Sequence, residues 1–209
     1  MNEYSSERRT DMFWDKIAVF YDLFERAYNN KVINGTASIC ASFMDREDEV
    51  LECACGTGLI TSSTAPLTSR YVATDFSEKM LNKCRRKMKG HSNTMIEFAD
   101  ITALSYADDS FDKVIAGNVI HLLDDPKKAL DELRRVVKPG GMILIPTYLT
   151  KTDGAHRGLV GVFNRMGANF KKMFDMDSYR AFFEDMGYKD IEYRTAEGKM
   201  PCCIAIIRV

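Results

Sequence analysis

V-L-E-C-A-C-G-T-G, residues 50–58, decides the fold. Val50, Leu51, Cys53 and Ala54 are too continuously apolar for a strand with one wet face, and they predict a short buried strand. Gly56 and Gly58 permit backbone angles that side chains resist, and they let a ligand approach the main chain. A helix is expected from Leu59 to Ala65, its first N–H groups facing whatever sits over the glycines. Strand, glycine loop and helix in that order predict a nucleotide-type site at the carboxyl end of a strand in an open α/β sheet.

Upstream, residues 1–10 are polar. From Asp11 to Tyr28 the apolar residues Phe13, Trp14, Ile17, Ala18, Phe20, Tyr21, Phe24 and Ala27 recur at helical spacing. Asn29-Asn30 and Asn34-Gly35 read as interruptions, with a second helix from about Thr36 to Met44. Residues 1–45 are therefore expected to form a helical cap, in which Trp14, Phe20 and Tyr21 either pack against the sheet or leave one aromatic, Tyr21 by preference, to close a lid over bound ligand.

Downstream, Tyr71–Thr74 is a second strand ending at Asp75. Ser77 caps a helix whose stripe is Met80, Leu81, Cys84 and Met88, with Gly90 as its stop. Met95–Ala99 ends at Asp100, and Phe111–Ala116 ends at Gly117-Asn118. Asp124 or Asp125 caps a helix with Pro126 in its first turn and Ala129, Leu130, Leu133, Val136 and Val137 as its stripe. Pro139-Gly140-Gly141 ends that helix, and Met142–Leu149 is a fifth strand. Such alternation predicts a parallel sheet with helices on both faces. Residues 153–172 break the rhythm. A helix capped by Asp177 or Ser178 follows, then strands over 189–195 and 201–209. Glu197-Gly198-Lys199 is too short to hold a crossover helix, so the last two strands must run antiparallel. The expected organisation is a core over 46–209, with 153–187 roofing an acceptor pocket.

With 209 residues and a net charge of −1, the chain should form one domain with no field to recruit nucleic acid or an anionic membrane. No apolar run is long enough to span a bilayer. The N-terminal ten residues lack the apolar core of a leader, which predicts the cytoplasm. Most of the six cysteines lie within apolar patterns, and Cys53-Ala54-Cys55 and Cys202-Cys203 lack metal-ligand spacing, so no metal is expected.

Gly56/Gly58, Asp75, Asp100 and Asn118 all fall at the ends of successive strands. An acid about 20 residues past a glycine loop, at the end of the second strand, is the usual partner of ribose hydroxyls, and Asp75 fits. Asp100 is placed to accept from an adenine amino group. A dinucleotide would want a third glycine where Thr61 stands, and Glu52 would repel its pyrophosphate. A cationic adenosyl ligand fits better.

L-E-C-A-C-G-T-G (51–58), A-T-D-F-S-E-K-M-L (73–81), F-A-D-I-T-A-L-S-Y-A-D-D-S-F-D (98–112), N-V-I-H-L-L-D-D-P (118–126) and R-R-V-V-K-P-G-G (134–141) resemble the class I S-adenosylmethionine-dependent methyltransferases. The likeness is to their type 11 group, which includes quinone-biosynthesis enzymes. It implies a Rossmann-like, doubly wound, seven-stranded sheet, mostly parallel with an antiparallel last strand, and S-adenosylmethionine as cofactor. By that resemblance Glu52, Ala54, Gly56 and Gly58 hold the methionine part, and Asp75 the ribose. Phe76 and Met80 flank the adenine, while Asp100 and Ile101 are its edge partners. Asn118 and His121 lie beneath the sulfonium, and Tyr21 belongs to the lid.

The activity so implied is methyl transfer to a small acceptor, with His121 either the candidate general base should a proton need removing or a structural histidine bonded to backbone. Tyr148 and His156 are candidates for the acceptor pocket, and Phe163, Met166, Phe170, Met173 and Phe174 predict an apolar one. The competing classes are a cofactor-binding protein without turnover, and a protein or RNA methyltransferase. The segment Gly117-Asn118-Val119-Ile120 lacks the N/D-P-P-Y/F pattern that resembles amino-group methylation of macromolecules.

Overall fold

A computed structural model describes residues 29–150 and 172–209. The expected helix over 11–28, Tyr21, His156 and almost all of the 153–172 segment lie outside those residues. The described chain contains the strands β1 (Glu49–Cys53), β2 (Arg70–Asp75), β3 (Thr94–Phe98), β4 (Phe111–Ala116), β5 (Val137–Tyr148), β6 (Glu192–Ala196) and β7 (Cys202–Arg208). They form one seven-stranded sheet in the order β3-β2-β1-β4-β5-β7-β6. β1 pairs in parallel with β2 and β4, β2 with β3, and β4 with β5. β7 runs antiparallel to both β5 and β6. The five-residue link from Glu197 to Pro201 is too short to hold a crossover helix, which demands that reversal.

Alternation along β1 sends side chains to two separate cores. Leu51 and Cys53 face one, with Val114, Ile143 and Cys203. It is closed by α4 (Pro126–Val136) and α5 (Met176–Asp185), which bury Leu130, Leu133, Tyr179 and Phe183. Val50 faces the other core with Tyr71, Ala73, Ile115 and Leu144. Its cover is α1 (29–41), α2 (Thr61–Thr64) and α3 (Glu78–Lys87), which contribute Cys40, Leu81 and Cys84. The sheet is thus doubly wound. β3 and β6 are its edges, and Phe98 on β3 is 64% exposed.

The caps follow local chemistry. Ser77 accepts from the Met80 N–H at the start of α3, and Asp125 accepts from the Lys128 N–H at the start of α4. The cap of α5 is Asp175, two residues before Asp177 and three before Ser178, the two expected caps. Asp175 and Ser178 form a reciprocal capping box there, satisfying two backbone donors where Asp177 would satisfy fewer.

Three boundaries differ from expectation for visible reasons. α1 runs straight through Asn34-Gly35, because a Cβ at Gly35 would sit 3.0 Å from the Ala196 Cβ and glycine lets the helix lie against β6. Asn29 stays within that helix; its Nδ2 donates to the Met200 carbonyl at 2.9 Å, tying α1 to the β6–β7 turn. β5 starts at Val137 and passes through Pro139-Gly140-Gly141, pairing Val137 with Phe111 before the register shifts. Pro139 keeps the preceding backbone extended, so the chain has left α4 already. Finally, the helix after the glycine loop spans four residues and passes into a 3-10 turn, Ala65–Leu67, at Pro66.

Candidate functional site

The carboxyl ends of β1, β2 and β4 open onto a cavity that α1 and β5 help to enclose. Its walls include Glu52, Ala54, Gly56 and Thr57 from β1 and its loop, and Asp75, Phe76 and Met80 from β2 and α3. Gly117, Asn118, Val119 and Leu122 come from beyond β4, Tyr148 from β5, and Ile33 and Thr36 from α1. Among the described residues lining it there is no Lys, Arg or His.

Glu52 is 1% exposed. Thr61 Oγ1 donates to its Oε2 at 2.6 Å, and the Tyr71 hydroxyl donates to the same oxygen at 2.7 Å. Thr64 Oγ1 lies 2.8 Å from the Tyr71 hydroxyl oxygen in turn. No described residue donates a hydrogen bond to Oε1, so one carboxylate oxygen is held and the other is left for the cavity. Burial pushes this carboxyl up to about 7, against the pull of the Thr61 and Tyr71 hydrogen bonds.

Asp75 is 6% exposed at the tip of β2. Its Oδ2 accepts the Gly56 N–H and its Oδ1 accepts the Ser77 N–H, both at 2.8 Å. Burial raises its carboxyl to about 6, and these backbone donors, with that of Phe76, hold it lower than burial alone would. Two buried acids and no described cation make the cavity hostile to a pyrophosphate and suited to a positively charged ligand. The four-residue α2 also offers little of a phosphate-binding helix end.

The loop that joins them is strained. Gly56 and Gly58 have φ of +55° and +79°, and Ala54 takes +55° despite its Cβ. Gly58 does not line the cavity. A Cβ there would fall 2.8 Å from Cys84 Sγ, so this glycine serves the packing of α3 against the loop. Asn118, at φ +52°, accepts the Tyr148 N–H on Oδ1 at 3.1 Å and donates its own N–H to Pro146 at 2.8 Å. It locks the tips of β4 and β5 together.

Of the residues the sequence singled out, the structure gathers Glu52, Ala54, Gly56, Asp75, Phe76, Met80, Asn118 and Tyr148 around one cavity. It does not bring Asp100, Ile101 or His121 into its walls. Asp100 is exposed and its Oδ1 accepts from Thr102, from both the N–H and the hydroxyl at 2.8 Å. Ile101 belongs to the α4-side core. His121 is 7% exposed, and burial pushes its imidazole down to about 4. Met173 is partly exposed, and Phe174 packs on Tyr179 and Phe182 rather than roofing the cavity. Sequence reasoning missed Thr61 and Tyr71, which grip Glu52, and Ile33 and Thr36. Thr61 carried a signal, since it stands where a dinucleotide loop has its third glycine. All six cysteines are buried thiols outside any disulfide, and burial takes Cys53 up to about 12.

A family described as a methyltransferase domain matches residues 51–145. A demethylmenaquinone methyltransferase of Clavibacter sepedonicus is 41% identical over 49% of this chain, a stretch that spans only 42% of that relative. One from Renibacterium salmoninarum is 28% identical across 95% of this chain and 92% of its own. Among solved structures, a SAM-dependent methyltransferase from Aquifex aeolicus shares the fold, with a TM-score of 0.64 and 20% identity over 88% of this chain and 93% of that one. Sheet order, glycine loop and domain match point the same way: residues 51–145 match a methyltransferase domain, the fold is that of S-adenosylmethionine-dependent methyltransferases, and S-adenosylmethionine is the cofactor this likeness indicates.

Proposed function

We propose that this enzyme moves the methyl group of S-adenosylmethionine to a small, apolar, quinol-like acceptor. The observation that carries the reading is the pairing of Glu52, with one oxygen held and one open, and Asp75 in a cavity whose other described walls are mostly apolar. The activity named for both relatives supports an aromatic acceptor.

In this reading Glu52 takes the ammonium of the methionine end through Oε1, and Asp75 takes the ribose hydroxyls with the lone pairs its backbone donors leave. Phe76 and Met80 bracket the adenine. When bound, the cofactor supplies a methyl group already activated by its sulfonium. The protein's work is then to fix an acceptor in line with that methyl and to keep water away. Val119, Leu122 and Tyr148 form the apolar side on which an acceptor would rest. Asn118 keeps that side rigid through its bond to the Tyr148 backbone. We assign His121 to packing: at neutral pH its buried ring stays uncharged, and it is not in the cavity wall.

The test is a screen of reduced naphthoquinols, phenols and thiols with methyl-labelled cofactor. Label transferred to a quinol, and lost in Glu52→Ala, is the expected result. Label entering only protein or RNA would overturn the acceptor class.

A further inference from the structure

Thr36 is a mid-helix threonine on α1, 4% exposed, and it lines the cavity. Its hydroxyl is shut off from water and has no hydrogen-bond partner among the described residues. A threonine inside a helix ordinarily bonds the carbonyl four residues back. Thr64 does so, donating to Ile60 at 3.0 Å. Thr36 does not, and a buried hydroxyl without a partner is costly to keep.

Its surroundings say which end of the cavity it serves. Cys40, one turn further along α1 on the same face, packs in the core that contains Val50 and Tyr71. Val50 and Glu52 lie on the same face of β1, so α1 covers the Glu52 end. An α-amino acid seated there presents an ammonium and a carboxylate. Glu52 Oε1 answers the first. The second needs donors, and no described Lys, Arg or His lines the wall.

We propose that the Thr36 hydroxyl donates to the α-carboxylate of the bound cofactor, making α1 part of the cofactor site. The proposal rests on the cofactor reading above. It makes Thr36 a positioning residue that senses the carboxylate alone.

The experiment is calorimetry or displacement with two uncharged-sulfur probes: S-adenosylhomocysteine, and the same thioether lacking its carboxylate, 5′-deoxy-5′-(3-aminopropylthio)adenosine. Thr36→Val should weaken S-adenosylhomocysteine about tenfold and leave the decarboxylated probe within about twofold, while Thr36→Ser stays close to wild type. Equal losses on both probes would make Thr36 a packing residue and overturn the proposal, as would no loss on either. Wild-type protein that binds neither probe would overturn the cofactor reading itself, and the proposal with it.

Discussion

The Asp75 carboxylate reaches back from the tip of β2 to accept the Gly56 N–H, 2.8 Å away, while its other oxygen accepts Ser77 N–H. The acid that would face the ribose thus also ties the glycine loop to the start of α3. Asp75→Asn puts an amide nitrogen against one of these donors. Urea unfolding without ligand should show a loss of about 1–3 kcal/mol, and calorimetry a cofactor affinity at least about tenfold weaker. Unchanged stability with lost affinity would separate the two roles and contradict the tie.

If Glu52 holds the cofactor's ammonium as proposed, cofactor binding should depend on pH. Its folded carboxyl titrates at about 7, against an ordinary 4.5, with Asp75 adding to the rise and Lys87 opposing it. A cationic ligand beside it favours the ionised form, so affinity should strengthen as pH rises from 6 to 8, and the released proton should make the calorimetric heat vary with the buffer's ionisation enthalpy. Without ligand the folded state binds the extra proton. Stability from this group therefore falls as pH rises from about 4.5 to 7, by up to about 1.4 kcal/mol per pH unit. Glu52→Gln should flatten both profiles relative to wild type.

Gly58 and Ala54 should respond in opposite directions. Gly58→Ala combines φ +79° with a Cβ 2.8 Å from Cys84 Sγ, and is expected to cost about 2 kcal/mol or more. Ala54→Gly relieves a left-handed alanine at φ +55° and should gain up to about 1 kcal/mol after the entropy of the freer unfolded chain. Denaturant midpoints of the two variants decide it.

His121 should behave as a core residue. Its folded imidazole titrates at about 4, below the ordinary 6.5, so its contribution is intact above 6.5 and is lost as pH falls toward 4. His121→Gln should make unfolding less acid-sensitive over that window while cofactor affinity stays within about twofold. A variant with normal stability and abolished turnover would instead make it a catalytic group.

The glycine loop, the strand ends and the antiparallel tail were legible because local rules and connection length force them. The α3 stripe of Met80, Leu81 and Cys84 read directly as a buried face. Other features needed contacts between segments distant in sequence. Tyr71 meets Glu52 only because β1 and β2 pair Val50 with Tyr71 and share a face. Gly58 looked like a ligand-binding glycine, yet it answers to Cys84 on α3. Asn34-Gly35 looked like a break until Ala196 came to lie against it. His121 sits on a strand-end segment, and nothing in its spacing distinguishes a ring in the cavity from one behind it.

The central claim is that two buried carboxylates at neighbouring strand tips hold S-adenosylmethionine, Glu52 by its ammonium and Asp75 by its ribose. It is tested most directly by titrating the purified protein calorimetrically with S-adenosylmethionine and, separately, with NADH. Saturable heat with the first, weakened in both Glu52→Ala and Asp75→Asn, and none with the second is the predicted result. Heat with NADH and none with S-adenosylmethionine would contradict it.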